Sequence, residues 1–107
     1  MKLNNIFSKI PNVMQDEISE TLLTTKDFRL ERIVSSGQAT PEGEWYDQDT
    51  DEWVILLSGG ARLLFENEEE VFTMNIGDYV HIQPHQRHRV EWTHPEQKTV
   101  WLALHFK

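Results

Sequence analysis

Short runs of alternating apolar and polar residues, broken at intervals by turn formers, run through the whole chain. "ISETLLTT" and "FRLERIVSS" read as two strands joined by a turn near Lys26 and Asp27. In the second, Phe28, Leu30, Arg32 and Val34 alternate with Arg29, Glu31 and Ile33, an imperfect period of two. "SGQATPEGEW" is a loop punctuated by Gly37, Pro41 and Gly43. The apolar strand from Trp53 to Leu57 closes on Ser58, Gly59 and Gly60, a hairpin signal. "ARLLFENEEEVFTM" predicts two strands around the acidic turn Asn67 to Glu70. Gly77 and Asp78 turn before "YVHI", Pro84 to Arg87 turn before "HRVEW", and "TVWLALHF" is the last strand. Ahead of all these, Pro11 and "PNVMQDEISE" form an entry turn with room for one helical turn. About eight short strands, roughly 8 to 12 residues apart, with no long helix, predict an all-β sandwich or barrel.

One strand adds to this. Glu52, Val54 and Leu56 lie on one face, and Trp53, Ile55 and Leu57 on the other. Both faces are apolar beyond Glu52, yet a small barrel has a single interior. The outer face therefore needs a cover, either the N-terminal segment or a second subunit, and a homodimer is expected.

Composition narrows the partners. At 107 residues the chain makes one domain with one core. It has no cysteine, which removes disulfides, thiolate nucleophiles and cysteine metal sites. The net charge of −8 argues against nucleic acid and anionic membranes, and leaves a small molecule as the expected partner. "MKLNNIFSKIPNV" lacks the apolar centre of a signal peptide, and no run approaches the ~18 apolar residues of a membrane span. A cytoplasmic location is expected.

Two clusters could carry chemistry. In "EWYDQDTDEWVILLSGG" (residues 44–60), Asp47, Asp49, Asp51 and Glu52 fall within six positions directly before the most core-like strand. Asp47, Asp49 and Asp51 open like an EF-hand loop, but Glu52 and Ser58 stand where its glycine and final glutamate belong, and strands flank it. That reading fails. In "GDYVHIQPHQRHRVEW" (residues 77–92), His81, His85 and His88 are interleaved with Arg87 and Arg89. Histidine is the commonest metal ligand and the usual general base near neutral pH. His88, Val90 and Trp92 share a face, which puts His88 beside an apolar wall.

Together the clusters resemble the cupin family. Its first motif runs Gly, five residues, His-x-His, three or four residues, Glu, six residues, Gly; Glu52 and Gly59 have the required six residues between them. Its second runs Gly, five residues, Pro-x-Gly, two residues, His, three residues, Asn; Gly77 matches the opening and His88 falls on the histidine. The resemblance implies a single cupin domain over residues 1–107, with motif one at about 37–59 and motif two at about 77–92. Its fold would be a jelly-roll-like antiparallel β-barrel with a short N-terminal segment.

The departures fall on the ligand positions. The His-x-His places hold Tyr46 and Gln48, or Trp45 and Asp47 with the longer gap. In motif two, Gln83, His85 and Trp92 replace the proline, glycine and asparagine. In the family two histidines, the glutamate and the later histidine hold one divalent metal, and of these only Glu52 and His88 carry over. Cupin topology would aim residues 46–52 into the barrel mouth, so Asp47, Gln48 and Asp49 could join Glu52 and His88 as ligands. Such an oxygen-rich site suits Mn, Fe or Zn. His85 would be the candidate catalytic acid or base, in oxygenase or isomerase chemistry on a small polar molecule.

Other readings stand beside these. Asp47, Asp49 and Asp51 also fit a solvated loop, Glu52 a strand-edge acid, and His88 a core histidine bonded to backbone. His81 and His85 fit surface positions, and His105, between Leu104 and Phe106, fits a position facing either the cavity or an interface. The missing His-x-His pair favours a metal-free binding or sensing module as the alternative function. A hydrolase or lyase built on paired acids ranks last, since no motif of those chemistries is present.

Overall fold

The alternation resolves into eight strands in a computed structural model that describes all 107 residues. They are β1 (Ile18–Thr24), β2 (Phe28–Ser35), β3 (Asp51–Ser58), β4 (Ala61–Phe65), β5 (Phe72–Met74), β6 (Tyr79–Ile82), β7 (His88–Thr93) and β8 (Thr99–Phe106). No helix forms. One antiparallel sheet has the order β1-β2-β8-β3-β6 and the other β5-β4-β7. The fold is all-β and jelly-roll-like, but the sheets do not close into a barrel. β5 and β6 have only three and four residues, too few to carry a ladder from one sheet to the other.

The period of two fixes what faces inward. Val54 and Leu56 of β3, Leu63 and Phe65 of β4, and Trp101 and Ala103 of β8 meet in one core between the sheets. The β3–β4 hairpin turns at Gly59, whose φ is +79°, and a Cβ there would meet Thr99 and Lys98 at under 3 Å. Only glycine fits.

The outer face of the larger sheet is partly covered by the N-terminal segment. Buried Arg32 donates from its guanidinium to the carbonyls of Ile6 and Ser8, at 2.9 and 2.7 Å, and pairs with Glu20. Lys98 Nζ donates to the carbonyl of Asn12 at 2.7 Å. Trp53, Ile55, Leu102 and Leu104 on the same face are only half-buried.

Two irregularities shape the site. Leu63 pairs with Val90 and Arg62 with Trp92, so Glu91 is an extra residue in β7. That bulge reverses the side-chain alternation. His88 and Val90 face inward as the sequence predicts, but Trp92 turns outward, where Arg62 sits 4.8 Å from the ring centre. Beside the other edge of β7 runs the loop from Thr40 to Gln48. Thr40 N donates to Val90 O at 2.9 Å, Tyr46 and His88 exchange both backbone bonds, and His85 N donates to Gln48 O at 2.7 Å.

Candidate functional site

A cavity of about 230 Å³ opens between the sheets. This is smaller than the roughly 300–1,000 Å³ of drug-sized sites. Its walls are apolar: Ile33, Val54, Leu63, Ile82, Val90 and Trp101. Its polar groups come from five places in the chain. β2 contributes Arg29 and Glu31, β3 Glu52, β7 His88 and β8 His105, while Tyr46 and Gln48 enter from the loop beside β7. Glu17 and Ser19 stand at the rim.

Glu52, His88 and Gln48 meet at the inner end. Gln48 Nε2 donates to Glu52 Oε1 at 2.7 Å, and His88 Nε2 lies 3.8 Å from the same oxygen, too far for a hydrogen bond. The other ring nitrogen, Nδ1, lies 2.9 Å from the carbonyl of Gln86. A carbonyl only accepts, so Nδ1 carries the hydrogen, and in the neutral ring Nε2 presents a lone pair to the cavity. His88 is 5% exposed, its ring flanked by Tyr46 and Phe65 at 5.5 and 5.9 Å between centres.

A second group lies across the floor. His105 Nε2 donates to Glu31 Oε1 at 2.8 Å, and the Arg29 Nε approaches Glu31 Oε2 at 3.9 Å. At the rim, Ser35 Oγ donates to Glu17 Oε2 at 3.2 Å. The Glu17 carboxyl is pushed above its usual 4.5, first by partial burial and then by the negative charge of Glu31, with the Ser35 bond pulling the other way. The Tyr46 hydroxyl is also pushed up, by burial first and next by Glu17.

The acids of residues 47–52 part company by strand geometry. Glu52 points inward, and its neighbour Asp51 points outward to His81 Nε2 at 2.7 Å. Asp47 is exposed and lies 2.8 Å from His85 Nδ1; Asp49 is exposed and lies 3.7 Å from Lys107. Neither lines the cavity. His85 lies outside it too, with 69% of its side chain exposed and a backbone φ of +61°. Its position is the glycine place of the second motif, which accounts for the left-handed backbone.

These placements bear on the expected metal. Of the five expected ligands, Glu52, His88 and Gln48 come together, and Asp47 and Asp49 do not. No three His, Cys, Asp or Glu side chains converge as a metal-binding group anywhere in the protein. Catalytic metal sites typically offer three such ligands and structural sites four, and the one further donor here is a neutral amide already bonded to Glu52. The donor set does not fit a resident divalent ion.

Sequence reasoning missed Glu17, Glu31, Arg29 and Tyr46 as site residues. The signal for two of them was present, since Arg29 and Glu31 alternate with the outward-facing Leu30 and Arg32. With charged residues on both faces of β2, no face declared itself the inner one.

The cupin-domain family model matches residues 32–105, which include Gln48, Glu52, His88 and His105 but not Arg29 or Glu31. The chain is a cupin. A solved Ralstonia eutropha structure, provisionally described as a mannose-6-phosphate isomerase, is 44% identical, with a TM-score of 0.96, over 100% of this cupin and 99% of that chain. A cupin superfamily protein of Desulfitobacterium hafniense has a TM-score of 0.74 at 13% identity, covering 91% and 83% of the two chains. A Streptococcus pyogenes protein of unknown function has 0.75 at 17% identity, covering 99% and 87%; these two likenesses bear on fold alone. Among curated proteins, none matches this sequence.

Proposed function

We propose that this cupin is a small-molecule binding protein whose ligand sits between the sheets, without a resident metal. The observation that carries the reading is the His88 ring. It is held by Gln86 on one side, and its free Nε2 is turned into an apolar-walled cavity with no protein partner within hydrogen-bond distance. The residue is buried while this one nitrogen faces the cavity, so it is placed to meet a polar group of whatever occupies that space.

The provisional description of the Ralstonia relative would ask the cavity to hold a sugar phosphate. Charge disfavours that. Arg29 is the one permanently cationic lining residue, against the carboxylates of Glu17, Glu31 and Glu52. A phosphate dianion would face net repulsion, whereas a neutral or cationic polar molecule would not.

A melting screen against a small-molecule library, in the presence of a chelator, tests the reading. We expect at least one ligand to raise the melting temperature, and a His88→Ala variant that still folds to lose that response. Stabilisation that returns only with added metal would overturn the metal-free part.

A further inference from the structure

We propose that the cavity selects a small organic cation, a primary ammonium or amidinium carried on a short apolar body. The inference rests on the small-molecule reading above and adds the chemical class. Three observations lead to it.

The first is the inventory of donors and acceptors. With its Nδ1 hydrogen committed to Gln86, the His88 ring in its neutral form offers the cavity only an acceptor, and the residue is 5% exposed. Glu52, 9% exposed, has one oxygen occupied by Gln48 and the other without a hydrogen-bond partner. These two side chains therefore present lone pairs to the same space. The complementary ligand group is one with several N–H donors, not a carboxylate or a phosphate.

The second is charge. Three carboxylates face the cavity, and the single guanidinium, that of Arg29, is 51% exposed in its side chain. Glu31 is already met by His105 and Arg29, so the carboxylates left without a close cation are Glu52, from which His88 stands off at 3.8 Å, and Glu17 at the rim. Glu17 is bonded to the Ser35 hydroxyl and to no cation, and the negative charge of Glu31 adds to the upward push that burial gives its carboxyl. A bound cation supplies what is missing.

The third is the lining. Val54, Leu63, Ile82 and Val90 can take an alkyl body, and Tyr46 and Trp101 add aromatic surface to the lining. The small volume limits the body to a few carbons.

The test compares three probes of one shape, n-butylamine, 1-butanol and butyrate, by NMR titration of the isotope-labelled full chain near neutral pH. We expect butylamine to shift cavity resonances and saturate, with butanol and butyrate at least about tenfold weaker, as loss of a charge-assisted contact implies. Glu52→Gln should weaken butylamine by about the same factor. Glu31→Gln provides a second reading should the first variant fail to melt cooperatively. Equal or tighter binding of the alcohol or the carboxylate would overturn the cation assignment while leaving the small-molecule reading in place. No saturable binding of any probe would also overturn it, and the library screen would then decide the wider reading independently.

Discussion

Glu52 and His105 face each other across the β3–β8 ladder, both buried and both turned inward, yet they do not bond to one another. Glu52 is served by Gln48 and His105 serves Glu31, so the cavity holds two separate polar groups rather than one. Their separation is what leaves His88 Nε2 open and keeps a third acid or imidazole from joining Glu52 and His88.

Metal content follows directly. Protein purified without chelator or affinity metal should carry far less than one divalent ion per chain by elemental analysis. The reason is that two convergent ligands are too few to retain Mn, Fe or Zn. Stoichiometric metal in the parent, lost in a Glu52→Ala, His88→Ala double variant, would refute this.

Glu17 sets a pH dependence. Its folded pKa lies above the unfolded 4.5, so the folded state holds that proton more tightly. Its contribution to stability is full below pH 4.5 and is lost as pH rises through the raised folded value. Replacing it by glutamine should therefore raise the melting temperature at neutral pH. The advantage over the parent should vanish below pH 4.5, as paired melting curves would show.

His85 is expected to be dispensable for binding. It sits outside the cavity at φ +61°, where glycine is favoured, and its link to Asp47 is exposed. His85→Gly should leave stability within about 1 kcal/mol of the parent, because relief of backbone strain offsets the lost pair. Ligand-induced melting shifts should be unchanged; their loss would return His85 to the site.

Self-association is expected through the larger sheet. β1 is an edge strand with Leu22 and Leu23 at 45% and 52% exposure, and Trp53, Ile55, Leu102 and Leu104 are only half-covered on the adjoining face. A second copy would cover both. Light scattering should give twice the 12.7 kDa chain mass, and Leu23→Glu should shift it toward the monomer.

Much of the fold was legible because turn residues and the period of two are local signals. Gly59, Gly77 and the Pro84 turn mark strand ends that the structure keeps. Glu52 and His88 were legible through motif spacing, and both reach the cavity. What was hidden depends on pairing. The extra residue at Glu91 turns Trp92 outward, and nothing in "HRVEW" announces it. The acids at 47 and 49 could not be assigned a direction because their loop is oriented by hydrogen bonds to residues some forty positions away. Glu31 and His105 meet across a β2–β8 ladder that joins opposite ends of the sequence.

The loop from Tyr46 to Gln48 is fastened to residues 85–88 by three backbone hydrogen bonds and the exposed Asp47–His85 contact. That short seam carries Tyr46 and Gln48 on one side and His88, the first residue of β7, on the other, so it sets the spacing of the inner polar group together with the sheets that hold Glu52 and His88. Unzipping it would dismantle recognition while the core from Val54 to Ala103 stayed folded. Opening of the cavity at this edge ahead of global unfolding is the expected outcome, with amide exchange at Tyr46, His85 and His88 running ahead of exchange in β3 and β8.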